Sequence, residues 1–165
     1  MRILGLDPGT ATIGFGIIET GRQKHQLLDY GCIKTPAGMP FAERLKQIYE
    51  DLEVIVKEWM PQAVAIEEVF FSKNVKSAIQ VAQARGAIMQ QLALGPRQIA
   101  EYKPQQVKEA VCGYGKAEKK QVQKMVQLIL EMDEMPYPDD AADALALAIC
   151  HANSLHMQNL VAQSS

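Results

Sequence analysis

Hydrophobic positions along this chain change period in an order that predicts its fold. Residues 2–7, 12–19 and 26–34 are short runs rich in aliphatic, β-branched and aromatic residues, separated by polar connections, which is the pattern of an antiparallel meander. From Phe41 the period lengthens. Phe41, Leu45, Ile48, Leu52, Ile55 and Trp59 recur every three or four residues and predict an amphipathic helix that Pro61 ends. Ala63-Val64-Ala65-Ile66 then reads as a buried strand closing at Glu67. Residues 74–93, rich in Ala with Gly86 as the main breaker, predict a helix, and residues 97–102 a further strand. Pro104 opens a short helix to about Cys112, Gly113-Tyr114-Gly115 breaks it, and residues 117–132 form the next. Pro136 and Pro138 precede a last helix over 140–153. The order β-β-β-α-β-α-β-α-α-α implies an α/β fold with a mixed five-stranded sheet, a meander plus parallel strands, helices on both faces and right-handed crossovers. A single domain over 1–153 and a flexible tail over 154–165 are expected.

Composition narrows the class. The chain has 165 residues, enough for one domain with a substantial core, and the make-up of a soluble globular protein. No apolar run approaches the roughly 20 residues needed to span a bilayer, and the N-terminus lacks an h-region, so a cytoplasmic location without membrane contact is expected. Cys32, Cys112 and Cys150 are odd in number, far apart and in no CxxC pattern, which argues against a disulfide framework or a zinc site. Net charge is −2, but it is unevenly spread. Residues 1–68 carry seven Lys/Arg against ten Asp/Glu, residues 69–124 ten against three, and residues 125–165 none against six. A basic middle third between acidic flanks is an electrostatic footprint for a polyanion; on charge alone, a solvated basic face explains it as well.

The candidate chemistry lies in carboxylates. Asp7 comes before Pro8-Gly9, where the first strand is expected to stop, at the sheet edge that favours ligand sites. Glu67 closes a strand of small and β-branched residues. If the two strands are parallel neighbours, both acids end at one edge. Asp140 and Asp143 are three apart on a helix otherwise made of Ala, Leu and Ile, hence on one buried face. Taken singly, each has an ordinary structural role: Asp7 as a turn cap, Glu67 as a lysine's partner, Asp140 as a first-turn residue favoured by the helix dipole. Four together resist ionisation unless a cation compensates them. Asp139 leaves an ambiguity, because it is well placed as an N-cap and shares a face with Asp143 at spacing four. Alternation points Glu68 away from Glu67.

Hard oxygen ligands without His or Cys suggest Mg²⁺ or Mn²⁺. Two such ions about 3.5–4 Å apart can clamp an in-line phosphoryl displacement, one presenting hydroxide and the other stabilising the leaving 3′-oxygen. Asp7 is then the bridging ligand, with Glu67 on one ion and Asp140 and Asp143 on the other, and the expected activity is metal-dependent cleavage of DNA phosphodiesters.

Gly5-Leu6-Asp7-Pro8-Gly9-Thr10, Ala65-Ile66-Glu67-Glu68-Val69-Phe70, Gln83-Ala84-Arg85-Gly86 and Asp140-Ala141-Ala142-Asp143-Ala144-Leu145-Ala146 resemble the signature segments of the RuvC family, crossover junction endodeoxyribonucleases or Holliday junction resolvases. The resemblance covers about residues 1–153. The Asp-Pro-Gly turn alone is shared with actin-like ATPases, but all four segments in order at this length are specific. It implies an RNase H-like fold, a homodimer, paired nicks of like-polarity strands at a four-way junction in recombination and repair, Mg²⁺ as cofactor, RuvA and RuvB as partners in the same pathway, and catalytic roles for Asp7, Glu67, Asp140 and Asp143. Its Asp-Ala-Ala-Asp spacing favours Asp140 over Asp139. Lys108 and Lys119 match basic positions of the family near the scissile strand, for phosphate contact, with Lys119 also stabilising transition-state charge. Lys76, Lys116 and Lys120 would track the backbone less closely, as would Lys73; for Lys73 and Lys120 a solvated surface charge is the preferred reading. Such contacts make binding fall steeply with salt. The match favours Phe70 over Phe71 for stacking on an unpaired base, worth about 1–3 kcal/mol. Ala78, Ala82 and Gly86 form a small-residue stripe that could serve dimerisation, or only close packing on the sheet.

Three rivals remain at this level. One is another RNase H-like nuclease acting on RNA or RNA–DNA hybrid. A second, an actin-like ATP-binding protein, needs two such domains and a second phosphate loop, for which 165 residues leave no space. A third, a junction binder without catalysis, has no reason to collect acids near phosphates.

Overall fold

The computed structural model describes the backbone of residues 1–9, 11–21, 24–68 and 75–163, and the side chains of these except at 75–77, 159, 160 and 163. Strands β1 (Arg2–Pro8), β2 (Thr12–Thr20) and β3 (His25–Lys34) form the expected antiparallel meander, followed by helix α1 (Phe41–Trp59), β4 (Ala63–Glu67), α2 (Val75–Leu92), β5 (Gln98–Tyr102), α3 (Pro104–Cys112), α4 (Lys119–Ile129) and α5 (Asp139–Gln163). The sheet order is β3-β2-β1-β4-β5, with β4 parallel to both β1 and β5. This is the mixed five-stranded α/β sheet that the periodicity predicts.

Alternation along the central strands sorts the core into two halves. Leu4, Leu6, Val64 and Ile66 pack with Ile48, Leu52 and Val56 of α1 and with Ile88 and Leu92 of α2. Ile3, Ala63 and Ala65 pack on the other face with α3, α4 and α5. α1 buries the stripe read from its sequence, and Met60 (φ 46°) ends it in a left-handed cap just before Pro61.

Three boundaries differ from expectation. β1 continues through Pro8, which pairs with Ile13 of β2, so Asp7 lies within a strand rather than at its last residue; the parallel pairing with β4 does end before it, at Leu6–Ile66. α4 is shorter than 117–132. Glu118 caps its start, its N–H donating to Gln121 Oε1 at 2.8 Å, and Glu131 (φ 53°) leaves the helical region at its end. α5 continues past 153 to Gln163, because Asn153 is tied down by donating to the Ala110 carbonyl at 3.2 Å and neither Gly nor Pro follows. Cys32, Cys112 and Cys150 are free thiols, as expected. Among the described residues no helix is long and apolar enough to cross a membrane.

Candidate active site

Register brings the first two acids together. Leu6 pairs with Ile66, so Asp7 and Glu67 follow side by side at one sheet edge, and alternation turns both toward the face that carries α5. The helix reaches them because the strands beneath it lack side chains. A Cβ on Gly5 would stand 1.9 Å from the Ala144 carbonyl oxygen, and one on Gly14 1.9 Å from that of Asp140. Only glycine permits this approach. Gly14 is the β2 partner of Asp7, so the contact with Asp140 sets the first turn of α5 over the acid pair.

The electrostatics follow from this crowding. Burial pushes the Asp7 carboxyl up to about 8, with further upward pressure from the charges of Glu67, Asp143 and Asp140 and a smaller opposing effect of Lys119. Burial, then Asp143, also raise Glu67, against a lowering hydrogen bond with Asp7. Burial raises Asp143, and Lys119 opposes the rise. Partial burial pulls Lys119 down, but its hydrogen bonds and charge contacts with Asp143 and Asp139 prevail and hold it above the usual lysine value. Its Nζ lies 3.0 Å from Asp143 Oδ2 and 3.4 Å from Asp139 Oδ2.

A cleft of about 180 Å³ opens on these groups, lined by Glu67, Asp143, Lys108, Lys119, Pro104 and Val122. Lys108 and Lys119 are thus brought to the acids. Lys120, one residue on, lines a separate groove with Tyr114 and Lys124, and Lys116 is exposed in the α3–α4 connection. Phe70, Phe71 and Lys73 lie outside the described residues, and Lys76 is on α2 with its side chain outside them. Of the small-residue stripe, Ala78 is buried while Ala82 and Gly86 are exposed.

Among the described residues, no three His, Cys, Asp or Glu side chains are gathered tightly enough to enclose a metal ion as they stand. The donor chemistry nonetheless suits one: half-buried hard oxygens whose ionisation is opposed by partial burial and by one another are what a divalent cation compensates. The positive charge beside Asp143 in the structure is the Lys119 ammonium.

Asp139 is not the N-cap. It is the first helical residue of α5, following Pro138, whose carbonyl accepts the N–H groups of Ala141 and Ala142. Its Oδ1 accepts from Gln123 Nε2 at 2.8 Å. Neither the Lys119 bridge nor Gln123 is evident from motif spacing. The one available signal is Gln123 itself, a polar residue on the buried stripe of α4 between Val122 and Val126.

A mixed sheet with acids side by side on adjoining parallel strands and on a crossing helix defines a nuclease of the RNase H-like class, whose chemistry depends on metal. The family model for crossover junction endodeoxyribonuclease RuvC matches residues 3–151. A protein of that name from Alkaliphilus metalliredigens is 50% identical over 160 residues, 97% of this chain and 98% of the relative. The structure of T. thermophilus RuvC in complex with Holliday junction substrate superposes with a TM-score of 0.87 at 33% identity, covering 95% of this chain and 96% of that one. The yeast mitochondrial Holliday junction resolvase Ydc2, at 11% identity and a TM-score of 0.71, shares the fold. The chain belongs to the RuvC family of crossover junction endodeoxyribonucleases.

Proposed function

We propose that this chain resolves four-way DNA junctions by paired nicks in strands of like polarity, with Asp7, Glu67, Asp140 and Asp143 as catalytic metal ligands. The observation that carries the reading is the convergence of half-buried acids on Asp7, whose carboxyl they help to hold up at about 8, beside a cleft flanked by two lysines. Two divalent ions, Mg²⁺ with Mn²⁺ as a substitute, would supply the charge that activates water and stabilises the leaving 3′-oxygen. The chain's own part is placement. Asp7, with the other acids around it, would be the ligand that both ions share. Glu67 would hold one ion and Asp140 with Asp143 the other, the last two placed by the approach of α5 to Gly14. Lys108 contacts phosphate at the cleft, and the Lys119 ammonium offsets charge that develops on the phosphoryl oxygens. Phe70 stacks on an unpaired base, and Lys76, Lys116 and Lys120 follow the backbone farther out.

A two-fold junction calls for a two-fold enzyme, so the working form is a homodimer. RuvA and RuvB are its partners in the pathway and the cytoplasm its compartment. Residues 1–153 are the nuclease domain, and the last helix carries the chain on to Gln163. An RNA or hybrid substrate, the rival reading, gains nothing from the family match.

The test pairs binding with cutting. Asp7→Asn is assayed on a synthetic four-way junction with Mg²⁺ present, alongside the wild type. Binding retained with cleavage lost is expected; cleavage by Asp7→Asn at the wild-type rate rules the scheme out.

A further inference from the structure

Asp139 belongs to no proposed ligand set, yet both of its oxygens are engaged. Oδ1 accepts the Gln123 amide at 2.8 Å, and Oδ2 faces Lys119 Nζ at 3.4 Å. Gln123 is nearly buried, 8% exposed, so its amide is held by the packing of α4 against α5. The same ammonium is 3.0 Å from Asp143 Oδ2. A polar line therefore runs from the helix interface through Gln123, Asp139 and Lys119 to the acids.

The physical need for such a line comes from the lysine. Its side chain is 49% exposed and has a flexible stem, so one contact would leave the ammonium free to sample solvent. Asp143 makes a poor sole anchor, since a carboxylate that turns toward a divalent ion gives up its hold on the lysine. Asp139 stands apart from that duty. Its two oxygens are already held, one by the Gln123 amide and the other by the Lys119 ammonium.

We infer that Asp139 is a positioning residue: Gln123 fixes its carboxylate, and it holds the Lys119 ammonium at the cleft shared by Glu67, Asp143 and Lys108. The inference rests on the reading above that this cleft binds the scissile phosphate.

The experiment compares Asp139→Asn, Asp139→Glu, Lys119→Met and the double variant Asp139→Asn/Lys119→Met in single-turnover cleavage of a four-way junction, with Mg²⁺ titrated. Asp139→Asn should cut about tenfold more slowly, while the Mg²⁺ concentration at half-maximal rate and the metal-free affinity for the junction stay within about threefold of wild type. Asp139→Glu should recover part of the rate. In the Lys119→Met background, Asp139→Asn should add nothing, because it acts through the lysine. Additive losses, a raised Mg²⁺ requirement or an unchanged rate would overturn the inference. Wild type and Asp7→Asn run in parallel test the nuclease reading separately.

Discussion

The two faces of the sheet are built from different residues. Under α1 and α2, large aliphatics meet large aliphatics: Leu4, Leu6, Val64 and Ile66 against Ile48, Leu52, Ile88 and Leu92. Under α5, Gly5, Gly14, Ala63 and Ala65 meet a helix whose buried residues include Ala141, Ala144 and Ala148. A helix seated on branched side chains can settle by rotamer changes. A helix whose carbonyls touch strand backbone has no such latitude, and its position is set by main-chain sterics. The acids and Lys119 all belong to the second face. Close backbone contact holds a metal-ligating constellation within the tolerance that catalysis requires.

Two substitutions, one per face, can break this division. Gly14→Ala places a Cβ where the Asp140 carbonyl now lies, so the start of α5 must move outward. A displacement of the order of 1 Å costs about 100-fold in rate, and that loss is expected in single-turnover cleavage of a four-way junction by protein whose far-UV circular dichroism is unchanged. Retention of the wild-type rate would show that the approach of α5 is dispensable. Leu52→Ala, at a fully buried position on the other face, should cost about 2–5 kcal/mol in denaturant unfolding. Its cleavage rate at 25 °C should remain that of wild type, since the α5 contact is untouched. Equal damage to activity from both variants would dissolve the distinction between the faces.

Much of this was legible in sequence. The meander and α1 are marked by their periods, while the later helices are marked by Ala content and by Pro and Gly breakers. Asp7 and Glu67 stand out as acids closing apolar runs, and Asp140 with Asp143 as acids on an Ala-rich helix. What was hidden depends on how elements cross. The glycines of β1 and β2 read as ordinary strand residues until α5 is laid over them. Lys119 and Asp139 are far apart in sequence and meet only because the N-termini of α4 and α5 lie side by side. Lys119 and Lys120 are neighbours in sequence but a helical step of about 100° separates them, and only the first faces the acids. The continuation of α5 beyond 153 is accompanied by Asn153 reaching α3 and Leu155 packing against the core, contacts that no local motif announces.

Crowding of acids on the α5 face also has a signature in pH. The Asp7 carboxyl titrates at about 8 in the folded protein against 3.8 ordinarily, so between these values the folded state binds the extra proton. Its contribution to stability is complete at low pH and is lost as pH rises through 8. Glu67 and Asp143 are displaced in the same direction. Metal-free wild type should therefore lose Tm between pH 5 and 8.5. Asp7→Asn should show a flatter profile and melt higher than wild type at pH 8.5. Parallel profiles would mean that the acids do not burden the fold, and that the α5 face carries no electrostatic strain.

The smallest effect is expected at the far end of the same face. Lys24 and Glu131 form an ion pair at 2.7 Å that joins the β2–β3 connection to the α4–α5 connection, with both side chains more than two-thirds exposed. Solvent and salt screen such a pair, and holding two long side chains together costs entropy. Lys24→Ala should leave Tm and junction cleavage at wild-type values, at both low and high salt. The pair resembles the Lys119 bridges in distance, and differs in that nothing buried depends on where its ammonium sits. A loss of cleavage in Lys24→Ala would place part of the control of α5 at its distance from the acids, and the Gly14 contact would then be one of two supports rather than the one that sets the site.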